Sequence, residues 1–216
     1  MADMLGTLAI FAAGALVILI AGSRLAGVAD QLADRTGLGE AAAGTILLGA
    51  VTSLPGLIAS STAAWNGLPE MAVSNAVGGI AAQTVFLVVA DFFHKPANLE
   101  HSAASVTNLF SSLPELVTTV ACIRQGAYTL AVSGIVGGNA FDTLFVAASD
   151  LFYLDGSIYH AMSGRQEFLL ALSIMMTVTL VAGMVRRERR GPANIGFEGV
   201  LLIAFYALAV ATMAFA

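Results

Sequence analysis

Residues 111–152 read SSLPELVTTVACIRQGAYTLAVSGIVGGNAFDTLFVAASDLF, a mostly apolar stretch with Glu115 and Asp142 in its interior. Residues 52–93 read TSLPGLIASSTAAWNGLPEMAVSNAVGGIAAQTVFLVVADFF and align with it, without a gap, at a constant offset of 59 residues. Prolines, glycines and aspartates match as well as apolar residues, as at Pro55/Pro114, Gly78/Gly137, Gly79/Gly138 and Asp91/Asp150. Because shared composition would not keep these residues in register, the chain contains an internal repeat.

The composition indicates an integral membrane protein. Of the 216 residues, 58% are hydrophobic and only 11% are charged, whereas soluble domains carry about 25% charged residues. Several apolar runs reach the roughly 18–20 residues that a membrane helix needs. We therefore expect an all-α, polytopic transmembrane helix bundle embedded in the lipid bilayer. The net charge of −5 and the lack of a basic patch give no indication of a nucleic-acid partner.

Apolar runs predict about six or seven helices, at residues 5–22, 41–65, 71–93, 103–123, 127–152, 168–185 and 199–216. Residues 23–40 are predicted to form a polar connector, and Pro55 is predicted to interrupt the second helix. The chain then divides into residues 1–95, with the first repeat at about 41–93, a short junction at 96–110, and residues 111–216. This last part holds the second repeat, 111–152, and two C-terminal helices.

The distribution of Lys and Arg conflicts with seven simple crossings. Seven crossings put four of these residues on one side and five on the other, against the tendency of positive residues to lie inside. If the orientation of every segment after Lys95 is inverted, eight of the Lys and Arg residues lie on one side and only Arg165 lies on the other. Either residues 103–123 enter the membrane and return, which needs a protein or water cover, or an odd number of helices is missing near Phe110. The balance favours an N-terminus outside the cell membrane and a cytoplasmic RRERR run at residues 186–190.

The second repeat carries residues that suit a cation. On a helix, Ser111 and Glu115 share a face, and Pro114 frees the carbonyl of about Phe110. Hydroxyl, carbonyl and carboxylate oxygens are the ligands of hard cations such as Ca²⁺. Asp142 adds a second carboxylate, and ionisable groups inside a membrane are functional candidates by default. We expect a cation site at irregular helices near the middle of the membrane.

At TSLPG and SSLPE, each followed by a glycine-rich second helix, the chain resembles the sodium/calcium exchanger (calcium/cation antiporter) family. That family has two α-repeats, typified by TSLPE in one helix and GSNxxN or GSNxxD in the next. The resemblance implies about ten helices in total, arranged in two inverted halves, and a cation site between the repeats. It implies exchange of Ca²⁺ against Na⁺ or H⁺, without a bound cofactor. It also implies that about three helices are missing between the repeats.

The resemblance also assigns site residues. Glu115 and Asp142 match the carboxylate ligands of the second repeat, whereas Gly56 replaces the carboxylate of the first repeat. The resemblance therefore implies a metal site of two carboxylates, both from the second repeat. The other cation-binding positions that it implies are Thr52, Ser53, Gln83, Ser111, Ser112 and Asn139.

Alternatives to an antiporter remain open. The missing helices and Gly56 also fit a non-transporting, truncated relative or a membrane interaction subunit. A partner chain, as in a homo-oligomer, is another way to complete the site. An enzyme is not expected, because the three histidines, His94, His101 and His160, lie in or near predicted loops.

Overall fold

The computed structural model describes residues 2–94, 113–186 and 196–214, and every regular element in these ranges is helical. The all-α prediction is confirmed. The predicted ligands Ser111 and Ser112 and the junction at 96–110 lie outside the described residues. The helices are α1 Ala2–Thr36, α2 Glu40–Ala43, a π-helical turn Gly44–Leu48, α3 Gly49–Trp65, α4 Pro69–His94, α5 Leu113–Arg124, α6 Tyr128–Asp150, α7 Gly164–Arg186 and α8 Phe197–Ala214.

Within the described residues, six helical segments are long and apolar enough to cross a membrane, so the predicted polytopic bundle is confirmed. They are Met4–Thr36, Glu40–Trp65, Pro69–Val88, Tyr128–Asp150, Gly164–Val185 and Phe197–Ala214. The described part of helix α5 has 12 residues, which corresponds to about 18 Å of helix.

Two predictions about local structure are wrong. The expected connector at 23–40 is helical as far as Thr36, because Ala26, Ala29 and Ala33 form a buried stripe at helical spacing. This stripe packs in a cluster with Cys122 and other residues of α5 and α6.

Helix α3 also continues through Pro55 without interruption. The irregularity lies earlier, in the π-helical turn. Directly after this turn, a Cβ on Gly49 would lie 2.6 Å from the carbonyl carbon of Gly137. The backbones of α3 and α6 therefore approach each other at glycines.

Contacts between the helices show that the two repeats are inverted. Gly49 lies against Gly137 and Gly56 against Phe145, so α3 and α6 run in parallel. Each of these helices is also one arm of a hairpin, α3–α4 and α5–α6, closed by short turns. Consequently α3 and α5, which are equivalent in the two repeats, run in opposite directions, and so do α4 and α6. This arrangement differs from the parallel repeats that a single crossing of residues 103–123 would give.

The helix directions also place four of the five described arginines, all except Arg24 inside α1. Arg35, Arg124 and Arg186 lie at one end of the bundle, which we call the basic end, and Arg165 lies at the other, the loop end, beside residues 151–163. Helix α4 finishes at the basic end, and so does α5. His94 and Arg124 therefore lie at the same end of the bundle, as the eight-to-one charge distribution requires.

Candidate cation site

The two carboxylates singled out in the second repeat come together inside the bundle. Glu115, in the first turn of α5, is 2% exposed, and Asp142, in α6, is 4% exposed. Both line a cavity of about 10 Å³, close to the ~10–15 Å³ that one water-sized occupant needs. Helices α3 and α4 supply the other lining residues, which are Ser53, Gly56, Asn75, Ala76, Gly79 and Gln83. Four helices, two from each repeat, therefore enclose the cavity.

The Glu115 carboxylate has no hydrogen-bond partner on either oxygen within the described residues. The hydroxyl groups of Thr52 and Ser53 lie beside it, outside hydrogen-bond geometry. Thr52 donates to the carbonyl of Leu48 over 2.7 Å. The Ser53 hydroxyl is buried and has no hydrogen-bond partner in the part of the chain that the structure describes. Unpaired polar groups at this depth are costly, so their convergence on one cavity fits a site that binds a cation.

The Asp142 carboxylate does have a partner. The side-chain amide Nε2 of Gln83 donates to its Oδ2 over 2.7 Å. The remaining oxygen of that amide, Oε1, is buried and accepts no hydrogen bond from residues 2–94, 113–186 or 196–214. Gln83 and Asp142 are 59 residues apart and so are equivalent positions of the two repeats. The internal twofold relation of the repeats therefore passes between these two side chains.

Two glycines make this contact possible. A Cβ on Gly79 would lie 2.6 Å from Asp142 Oδ2, and a Cβ on Gly138 would collide with Gln83 Oε1. These glycines are also equivalent positions of the repeats. Asp142 and Gln83 thus each pack against a glycine of the facing helix. A larger residue at position 79 or 138 would displace the side chain that packs there.

Two predicted ligands, Thr52 and Asn139, do not line the cavity, and one lining residue was missed. Asn139 is not on the cavity: its Nδ2 donates to the Thr84 hydroxyl over 2.9 Å. Asn75, which sequence reasoning missed, lines the cavity and donates to the carbonyl of Gly56 over 3.1 Å. A signal for it existed, because Asn75, Gly79 and Gln83 fall at i, i+4 and i+8 on one helix face.

The site has negative side chains and oxygen donors but no positive lining residue. Among the described residues, no Lys, Arg or His lines the cavity. Burying two carboxylates without a counter-charge is costly, so a bound cation or protons must neutralise them. Carboxylate, hydroxyl and amide oxygens are typical ligands of hard cations. The chemistry of the donors therefore fits such an ion.

Inverted helical repeats around buried carboxylates define a multi-pass membrane protein of the inverted-repeat class. A family model described as "Sodium/calcium exchanger protein" matches the chain twice, over residues 6–108 and 98–215. The chain therefore belongs to the sodium/calcium exchanger protein family, as its two repeats predict.

Two curated relatives carry matching names. The chain is 29% identical over 97 residues to the sodium/calcium exchanger MaX1 of Methanosarcina acetivorans, a match that covers 44% of this chain and 25% of that protein. It is 33% identical over 98 residues to a protein of Alkalimonas amylolytica named as the antiporter CaxA, with 44% and 29% covered. The aligned segments thus span less than a third of each relative. No solved structure matches the chain significantly.

Proposed function

We propose that this protein is a secondary active antiporter that exchanges Ca²⁺, or a similar divalent cation, for Na⁺ or H⁺. The cation binds between the repeats, on Glu115 and Asp142, with help from the oxygen of Ser53. Membership of the family supports the proposal. The observation that carries it is the pair of carboxylates, both at most 4% exposed, that meet at a cavity of ionic size.

The charge of the site gives a reason for coupled exchange. Two carboxylates balance one divalent cation. When that cation leaves, the buried pair retains two uncompensated charges, which carry a large desolvation penalty. Reorientation of the empty site is therefore slow unless two monovalent cations or two protons replace the divalent one. This requirement links the movement of the two kinds of ion.

The inverted repeats supply the conformational change. In transporters of this architecture, the site stays near the middle of the membrane while one repeat rearranges against the other. Here the site lies between α3 and α4 of one repeat and α5 and α6 of the other. Opposite directions of equivalent helices allow each repeat to take the role of the other, which exposes the cavity to the two sides in turn.

We also propose that the protein lies in the cell membrane with its basic end in the cytoplasm. Arg35, Arg124 and Arg186 lie at that end, and Arg165 lies at the other. This distribution follows the positive-inside tendency. The N-terminus, where α1 starts at the loop end, would then be outside.

The test is uptake of ⁴⁵Ca²⁺ into proteoliposomes that contain the purified 216-residue chain and an outward Na⁺ or H⁺ gradient. We expect Glu115→Gln to lower uptake about 100-fold or more, since removal of one member of a buried charge set costs roughly 3–5 kcal/mol. The matched control is Glu70→Gln, the same chemical change at an exposed residue of α4. Uptake that is equal in the two variants would contradict the proposal.

A non-transporting role is the second candidate, and one observation favours it. Gly56 occupies the position equivalent to Glu115 and lines the same cavity without a charge. A site with carboxylates from only one repeat can hold a cation without offering the same ligands from both sides. Binding of ⁴⁵Ca²⁺ by folded protein, without gradient-driven uptake, would favour this membrane-subunit role.

A further inference from the structure

The Gln83 side chain lies at the position where the family resemblance implies a ligand, yet it presents a donor to the site. Its Nε2 is 2.7 Å from Asp142 Oδ2. An ionised carboxylate oxygen only accepts hydrogen bonds, so the amide nitrogen faces it, since two oxygens would repel each other. The acceptor oxygen of Gln83 faces Gly138 instead.

A cation and an amide N–H compete for the same oxygen. The carboxylate needs a positive partner because Asp142 is almost fully buried and no Lys, Arg or His lines the cavity among the described residues. Gln83 provides the partial positive charge of its N–H at the place where a bound ion would provide a full one. Glu115 has no such partner among the residues that the structure describes, so the compensation seen there is confined to one carboxylate.

We propose that Gln83 stands in for the cation: it stabilises Asp142 while the site is empty and is displaced when the ion binds. The proposal rests on the function proposed above. In this role Gln83 lowers the affinity for the cation, because it stabilises the cation-free site. A ligand would instead raise the affinity, because it stabilises the occupied site. The two roles predict opposite effects of removing the amide.

The test compares Gln83→Met, which has a similar shape and no donor, with the unaltered chain. A hydrogen bond to a charged group contributes about 1.5–3 kcal/mol, and each 1.4 kcal/mol corresponds to a factor of ten. We therefore expect ⁴⁵Ca²⁺ to bind Gln83→Met about tenfold more tightly in detergent. The melting temperature of Gln83→Met should fall in EGTA and recover in saturating Ca²⁺.

The matched control is Thr84→Val. It removes the acceptor of another buried hydrogen bond between α4 and α6, that from Asn139, while Thr84 does not line the cavity. We expect its loss of thermal stability to be the same in EGTA and in Ca²⁺, and its Ca²⁺ affinity to stay unchanged. A purely structural role of Gln83 would give this same pattern in Gln83→Met.

Each outcome separates the two proposals. Weaker Ca²⁺ binding by Gln83→Met, while Glu115→Gln abolishes binding, would make Gln83 a ligand and overturn the stand-in role alone. Equal destabilisation of Gln83→Met in EGTA and Ca²⁺ would also overturn it. If the unaltered chain binds no Ca²⁺, Na⁺ or Mn²⁺, the cation site itself is wrong and the stand-in role falls with it.

Discussion

The two repeats have equivalent helices with equivalent hydrogen bonds, and they differ in the charge of the residues at the cavity. Thr84 donates to the carbonyl of Ile80 over 2.7 Å, and its equivalent Thr143 donates to the carbonyl of Asn139 over 2.9 Å. At the cavity the equivalence ends, because the first repeat has Gly56 and Gln83 where the second has Glu115 and Asp142. One repeat thus supplies the anionic groups of the site and the other supplies neutral ones.

Because the repeats are inverted, residues that differ between them face each other in the site and interact favourably. Because α4 and α6 run in opposite directions, equivalent side chains meet face to face, as the Gln83–Asp142 hydrogen bond shows. Two identical carboxylates in this position would repel each other. An amide opposite a carboxylate forms a bond instead. Gly56 and Gln83 therefore give the site a lower negative charge than acidic residues at these two positions would.

The largest difference in stability should come from the equivalent glycines Gly137 and Gly78. A Cβ on Gly137 would lie 2.6 Å from the Cα of Thr45, and backbone cannot move aside easily. Gly78 lines a cavity of about 410 Å³ between α4, α7 and α8. We expect Gly137→Ala to lower the free energy of unfolding by about 2–3 kcal/mol and Gly78→Ala to raise it by up to about 1 kcal/mol, the gain in helix propensity.

Thermal unfolding of both variants in detergent measures this difference. Each substitution gains the same helix propensity of about 1 kcal/mol, so propensity cancels from the comparison. Equal melting temperatures would show that the close approach of α6 to the π-helical turn contributes little to stability.

Moving the carboxylate from one repeat to the other tests the equivalence of the two sides. The atoms nearest to a Cβ on Gly56 would belong to Phe145 and Asn75, at 3.7 and 3.9 Å, which are ordinary contact distances. We expect the double variant Gly56→Glu/Glu115→Gln to bind Ca²⁺ about tenfold more tightly than Glu115→Gln alone, because each factor of ten needs only about 1.4 kcal/mol. The measurement is ⁴⁵Ca²⁺ binding in detergent. The matched control is Gly56→Gln/Glu115→Gln, which adds the same volume without the charge, and rescue by both would rule out a charge effect.

The parts of the fold that could be predicted from sequence are those that depend on local pattern. Long apolar runs gave the membrane helices, and the constant offset gave the repeat. Glu115 and Asp142 were recognisable because a carboxylate in an apolar segment is costly unless it has a function. Ser111 and Ser112 remain predictions, since they lie outside the described residues.

The parts that could not be predicted depend on contacts between distant segments. The helical extension of α1 through residues 23–36 looked polar, and its alanine stripe is informative only once α5 and α6 are known to cover it. The position of Asn139 follows from the presence of Thr84 opposite it. Likewise, sequence alone shows Gln83 as an amide at a ligand position, and only the facing carboxylate reveals that its donor is in use.

The smallest expected effect concerns how the second helix of each repeat begins. Helix α6 has Ala127 at its N-cap, with no side-chain cap of its own, and Glu40 from α2 accepts a hydrogen bond from the Leu130 amide over 3.2 Å. Helix α4 starts instead with Pro69 and an exposed Glu70 in its own first turn. We expect Glu40→Ala to cost about 1 kcal/mol, the usual loss for a helix cap. Glu70→Ala should cost about 0.3–0.5 kcal/mol, as for an exposed charge near a helix N-terminus. The melting temperatures of the two variants in detergent measure the difference, and a larger loss for Glu70→Ala would show that the contact from α2 does not hold the start of α6.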